Sequence, residues 1–263
     1  MRLKTYIKVW KIFALTELQE TFINRGSNIL FMLGKILRLF FALLFLILIK
    51  NNVNNFAGYT SNQVVVFFLT YQFIDLASQI LYRGVYVFGN KIRNGDFDFL
   101  LIQPISPLFR ALTGKPDIND AIFMIPSLAV SFYVFNNLNL IITWQSFLWY
   151  LLLLLNGLLI ATAIHIIILA VGVLTTEVDS IIWIYRDLNR MGKFPVSIYM
   201  QPLRFALFFI VPIGMMITIP TEVLLGAEPS FSIALTTLVG IGSFVFSLKI
   251  WKWSLKRYAS ASS

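Results

Sequence analysis

Apolar residues in this chain gather in long blocks, and polar residues collect in the short gaps between them. The blocks cover residues 29–49, 64–82, 118–135, 144–174, 202–220 and 231–251. At a helical rise of about 1.5 Å per residue, such blocks match a hydrocarbon core of about 30 Å. They predict an all-α integral membrane protein with six transmembrane helices, forming a single domain over residues 1–263. Asn51, Asn52, Asn54 and Asn55 mark one turn, and Asn136, Asn137 and Asn139 another. Pro126 is placed to bend the third span. The fourth exceeds the bilayer, so it is expected to tilt, to kink near Gly157, or to project from it.

The remaining stretches are mixed. Residues 1–28 interleave Arg2, Lys4, Lys8 and Lys11 with Tyr6, Val9, Trp10 and Phe13, which suits an amphipathic helix lying in the interface. They lack the form of a cleavable signal, because the first long apolar run starts only near Ile29. Residues 175–201 carry Glu177, Asp179, Arg186, Asp187, Arg190 and Lys193, and read as an interfacial helix followed by a turn at Phe194 and Pro195. Thr221 to Ser230 reads as a short capped element between two prolines, placed between spans five and six.

The island from Asn94 to Asp117 is too polar to span and too patterned for slack loop. Ser106 can cap a helix whose first residue is Pro107, where a missing N–H costs nothing. Gly114 stands where a left-handed residue would end it. Leu108, Phe109 and Leu112 then share an apolar side for a partner or for the chain's own membrane domain, while Arg110 and Lys115 face water or headgroups.

Composition agrees with the pattern: 58% of residues are hydrophobic, 25 are Phe and only 13% are charged. The absence of cysteine excludes disulfides, thiolate metal sites and thiol nucleophiles. With the N-terminus inside, all but Lys50 of the 21 basic residues fall on the cytoplasmic side, the asymmetry of the positive-inside rule. Both termini are therefore expected in the cytoplasm. The net charge of +9 reads as membrane orientation and contact with anionic lipid, without nucleic acid.

Inside the spans, Gln72, Asp75 and Gln79 recur at spacings of three and four and share one face of the second helix. A carboxylate at the centre of a span costs about 2.5–3.5 kcal/mol on insertion scales, so that face looks into protein or water. It is either a stretch of pathway wall or a packing contact, with Asp75 bonded to another span or paired to Lys35 or Arg38. His165, the one histidine, shares a face with Thr162 and reads as a buried neutral group bonded to a neighbouring helix rather than a proton carrier. No G-x-S-x-G elbow and no G-x-x-x-x-G-K-[ST] phosphate loop occurs. No catalytic, cofactor or metal site is expected in the chain.

Three runs carry a family resemblance: KIRNGDFDFLLIQPISPLFRAL, GKFPVSIYMQPLRFALFFIVPIGMMITIPTEVLLG and WKWSLKRYASASS. They resemble permease subunits of bacterial ABC transporters of the type-2 exporter superfamily, nearest to uncharacterised permeases of about this length. The pattern G-D/E-x-D-x-x-L-x-x-P-x-x-P-L-F falls on Gly95, Asp96, Asp98, Leu101, Pro104, Pro107, Leu108 and Phe109. The resemblance implies an N-terminal amphipathic helix, six spans, a coupling helix between the second and third, and a re-entrant element between the fifth and sixth. It implies a bacterial cytoplasmic membrane, a separate ATPase that holds ATP and Mg, and a second permease, more often a different one than a copy. It assigns ATPase coupling to Asp96, Asp98, Pro104, Pro107, Leu108, Phe109 and Leu112. The expected function is the permease of an ATP-driven exporter. The alternatives are a membrane scaffold or sensor, and a membrane-embedded enzyme using Asp75, His165, Glu177 or Asp179.

Overall fold

The structure, a computed structural model, describes residues 3–52, 55–56, 58–138, 140–227 and 230–259. Asn54, Asn139, Pro229 and Ser260 lie outside the described residues. The chain opens with α1 (Leu3–Ile23) and α2 (Arg25–Asn52), divided only at Asn24. Where a plain polar turn was expected, two short strands form instead, β1 (Asn55–Phe56) and β2 (Tyr59–Thr60), with Phe56 opposite Tyr59 and Gly58 at a φ of 91°. The two aromatics favour the extended backbone and glycine supplies the left-handed residue that the tight turn needs.

Thr60 then starts α3 (Ser61–Tyr82) with a capping box, accepting from the Gln63 amide while the Gln63 side chain accepts from the Thr60 N–H at 2.9 Å. A 3₁₀ turn at Arg83–Val87 leads to three short helices, α4 (Phe88–Arg93), α5 (Asp96–Ile102) and α6 (Pro107–Thr113). Helix α7 (Ile118–Asn136) begins at Asp117, whose carboxylate accepts from the Asp120 N–H at 2.9 Å. It is followed by α8 (Trp144–Thr175), α9 (Val178–Arg190), the single turn α10 (Leu203–Phe205), α11 (Ile219–Leu224) and α12 (Ser230–Lys256).

Among the described residues, five helices are long and apolar enough to cross a membrane: Arg25–Leu48, Ser61–Arg93, Ile118–Asn136, Trp144–Thr175 and Phe231–Lys256. A sixth arises only if Leu203–Ile210 and Gly214–Leu224, bent by 72° across Val211–Ile213, are counted together. The spans are not equivalent. The α3 segment is 78% buried and α8 61%, against 6% for α2 and 17% for α7 and for α12. Helices α3 and α8 are thus the core, and the others present apolar faces outward, as lipid permits. Thr70 meets Tyr150 at 3.1 Å and Tyr82 meets Thr162 further along the same pair. Helix α12 lies close along α8: Asn156 donates to the Thr236 carbonyl at 2.8 Å, and a Cβ at Gly240 would collide with the Asn156 amide.

Residues 175–201 read as an interfacial helix with a turn at Phe194 and Pro195, and 202–220 as the fifth span; the structure forms α9 over Val178–Arg190 and the bent pair Leu203–Ile210 and Gly214–Leu224. The chain reverses at Thr176 (φ 64°), presses Val178 into the space left by Gly172, and runs beside α3 toward its start. Asp179 pairs with Arg93 at 2.8 Å, Tyr185 packs on His165, Asn189 reaches Asp75, Lys193 lies over Tyr71, and Ser197 comes within 3.3 Å of the Tyr59 hydroxyl. The path from Asp179 to Ser197 therefore covers the whole of α3, whose 22 residues are about 33 Å long. Hydropathy hides this because the buried residues of α9, Val178, Ile182, Tyr185 and Asn189, are interspersed with Asp179, Ser180, Arg186 and Asp187, which lower the mean hydropathy of the stretch.

The following chain turns back. Gly214 to Thr218 lie against Gly192, Gly157 and Val196, and Glu222 returns to accept from the Tyr59 hydroxyl at 2.5 Å. The short element between spans five and six was expected after Pro220. In the structure the break stands at Val211–Ile213, and Pro220 sits in the first turn of α11, where a proline lacks no needed donor.

Candidate functional site

Helices α2, α3 and α9 enclose the site. Asp75 stands eight residues before Arg83 on α3, about 12 Å along the axis. Its carboxylate accepts from Arg38 of α2 at 3.1 Å and from Asn189 of α9 at 3.4 Å. Asp75 is 9% exposed at its side chain, Arg38 50%. The pair is therefore asymmetric: removing Arg38 strands a buried anion, whereas removing Asp75 leaves a cation that reaches open space. Of the two readings of this face, the contact to Arg38 is present, and the face also borders a cavity.

That cavity has a volume of about 970 Å³ and is lined along α3 by Gln72, Asp75 and Gln79, followed by Arg83 and Tyr86. Lys35 of α2 pairs with Asp120, which α7 presents beside Asp117, and Arg83 approaches Asp117 at 3.5 Å. Helix α9 contributes Arg186, which lies over Trp183 at 5.1 Å, and the 3₁₀ turn after it contributes Lys193, over Tyr71 at 5.8 Å. Sequence spacing brought out Gln72, Asp75 and Gln79 but missed Arg186 and Lys193. The signal that could have found Arg186 is the strong amphipathic period of residues 178–190.

The expected coupling residues divide in two. In α6, Ser106 accepts from the Phe109 N–H at 3.5 Å and Pro107 stands first. Gly114 is right-handed, with φ −70°, and not the left-handed stop expected; its N–H bonds the Arg110 carbonyl at 3.0 Å, and a Cβ there would strike that carbonyl. Leu112 is buried, Leu108 packs on the core, and the Phe109 ring stands edge-on to Tyr6 of α1 at 4.9 Å. Arg110 lies over Phe13 at 4.4 Å, and burial lowers its pKa from the ordinary guanidinium value. Helix α1 thus covers much of the apolar side of α6. Burial raises the Glu17 carboxyl of α1 above its ordinary range, against the pull of Lys115 at 3.8 Å.

Helix α5 behaves differently. It begins with Asp96, exposed, and Asp98, half-buried, in the first turn, where carboxylates oppose the helix dipole. Phe97 and Leu100 are buried, while Phe99 is 65% and Ile102 80% exposed, with Leu101 and Pro104 exposed beside them. An apolar ridge therefore projects from the short helices. Beneath it, α6 touches the 3₁₀ turn that follows α3: a Cβ at Gly84 would overlap the carbonyls of Ala111 and Leu112.

The groups that an enzyme would need stay apart. Asp75 is held by Arg38, Glu177 accepts from Ser180 at 3.1 Å, and Asp179 pairs with Arg93. His165, 1% exposed, donates Nδ1–H to the Ala161 carbonyl at 2.7 Å between the rings of Tyr82 and Tyr185. Among the described residues no cluster of three metal-ligating side chains occurs.

The profile of a family described as ABC-2 family transporter protein matches residues 36–262. The chain belongs to that family. It is a multi-pass membrane protein, the permease component of an ABC transporter, and the transport machinery of this family is not itself catalytic. ABC-2 permeases typically work with an ATPase partner. Comparison with curated proteins and with solved structures gives no match. In this ABC-2 permease the matched stretch holds Arg38, α3, the short helices and α9, hence the ridge and most of the cavity lining, and leaves out Lys35 and α1.

Proposed function

We propose that this ABC-2 permease is the transmembrane subunit of an ATP-driven exporter in the bacterial cytoplasmic membrane, and that its path runs through the cavity between α2, α3 and α9. The observation that carries this is the polar face of α9 beside the middle of α3. Asp187 and Arg190 form an exposed ion pair at 2.8 Å one turn or less from Asn189, the partner of Asp75. An ion pair at that depth is costly against lipid, so the face looks onto water or onto another permease. In this reading residues 178–197 are the fifth crossing and residues 203–224 dip in and return. Six crossings result, with both termini in the cytoplasm. A second permease, a copy of this chain or a relative, closes the path opposite α9.

The ATPase, which carries ATP and Mg, docks on the α5 ridge, where Phe99 and Ile102 are the exposed apolar anchors and Asp96 and Asp98 flank them. Movement of the ridge reaches the path through α6, because Ala111 and Leu112 seat directly on Gly84 in the 3₁₀ turn that continues the helix carrying Asp75. Closely packed elements of this kind shift between discrete arrangements and do not absorb the motion.

The test is ATP hydrolysis by the partner ATPase in liposomes. Hydrolysis should change when this permease is present, and Phe99→Asp with Ile102→Asp should return it to the level of the ATPase alone. Hydrolysis indifferent to the permease would overturn the reading.

A further inference from the structure

The cavity has more positive charge than its own carboxylates neutralise. It is lined by Lys35, Arg38, Arg83, Lys115, Arg186 and Lys193, against only Asp75 and Asp120. Four of those cations have carboxylate partners: Lys35 with Asp120, Arg38 with Asp75, Arg83 with Asp117, and Lys115 with Glu17 and Glu20. Arg186 and Lys193 form no ion pair among the described residues, and each lies over an aromatic ring. Arg186 comes from α9 and Lys193 from the 3₁₀ turn that follows it, and both line the cavity. The apolar part of the lining is built of Leu39, Phe41 and Phe45 of α2 with Phe68 of α3.

Cations held away from carboxylates at membrane depth are costly unless an anion or water answers them. A guanidinium favours the planar or tetrahedral oxygens of a carboxylate or phosphate, which accept from it in pairs. An apolar lining in the same cavity as such cations selects a molecule with both characters. We infer that the cavity binds an anionic amphiphile, its carboxylate or phosphate between Arg186 and Lys193 and its apolar body against α2. This rests on the reading of the cavity as the transport path and names the class of compound carried there. A cationic amphiphile finds no carboxylate free to receive it, because Asp75 and Asp120 are already paired.

The test uses the full chain in neutral detergent, with dodecyl phosphate as probe and tryptophan fluorescence as readout, since Trp183 lines the cavity. Dodecyl phosphate should give a saturable change, and dodecyltrimethylammonium and inorganic phosphate should not. Arg186→Gln with Lys193→Gln should weaken binding by about tenfold or more, the loss of two charge-assisted contacts. Arg186→Lys with Lys193→Arg should keep it within about threefold. Lys252→Gln, on the exposed side of α12, should leave it unchanged. Should the double variant fold poorly, Lys193→Gln alone still reads the effect.

Lipid that stays with the purified protein and is released by dodecyl phosphate would identify a membrane lipid as the source. The same saturable binding without retained lipid would identify a soluble amphiphile, and either result upholds the site. An equal response to the cationic probe, or full binding in a well-folded double variant, overturns it. No ATPase is present, so a failure here is separate from a failure of coupling.

Discussion

The Ser197 hydroxyl lies 3.3 Å from the Tyr59 hydroxyl, at the far end of α3 from the pair of Asp179 with Arg93. The chain between those two contacts therefore runs the length of a transmembrane helix. Because the protein has no cysteine, single cysteines report sidedness without background. Met200→Cys, at a residue 85% exposed just beyond Ser197, should react with an impermeant thiol reagent added outside intact cells. Ser180→Cys should react only after the membrane is opened. Met200→Cys protected from outside would return residues 175–201 to the cytoplasmic surface.

The asymmetric pair at the centre of the site predicts unequal single variants. Arg38→Gln strands the buried Asp75 carboxylate and should cost about 3 kcal/mol of stability. Asp75→Asn leaves a half-exposed cation and should cost about 1 kcal/mol. The double variant should recover most of the larger loss. Thermal denaturation in detergent measures all three, and additive losses would mean that the two side chains do not act as a pair.

Much of this was legible in the chain, for reasons that can be named. The start of α6 was visible because Ser106 is a capping residue placed just before a helical pattern, and a cap is a local interaction. The shared face of Gln72, Asp75 and Gln79 was visible because helical period depends on spacing alone. The course of residues 189–197 was not, because the partners of Asn189, Lys193 and Ser197, namely Asp75, Tyr71 and Tyr59, are more than a hundred positions away. Gly114 was misread for a similar reason: the sequence shows a glycine but not whether it supplies a left-handed turn or only the absence of a Cβ.

The two short helices should respond differently to substitution. Phe109 packs edge-on to Tyr6, so Phe109→Ala should loosen α1 and cost about 1 kcal/mol while the ATPase still co-purifies. Phe99→Asp with Ile102→Asp should leave the melting temperature nearly unchanged, since both side chains are exposed, yet release the ATPase. Release by Phe109→Ala and retention by the α5 double variant would move the docking site to α6.

Glu17 gives a pH signature. Its pKa is raised in the folded protein by burial, so the folded state holds that proton more tightly than the unfolded chain does. Its unfavourable contribution is absent below the ordinary carboxylate pKa and appears as pH rises through the folded value. Glu17→Gln should therefore raise the melting temperature at pH 7 and leave it unchanged at pH 4. A gain of equal size at both values would show that the carboxylate charge is not the cause.

The central claim, that the cavity beside α3 is a path worked by ATP, is tested most directly by the reactivity of Gln72→Cys in the assembled complex. An aqueous thiol reagent should modify this position, and its rate should change about tenfold or more between the nucleotide-free complex and one held in its ATP-bound state. A rate identical in the two states, in a complex that still hydrolyses ATP, would contradict the account.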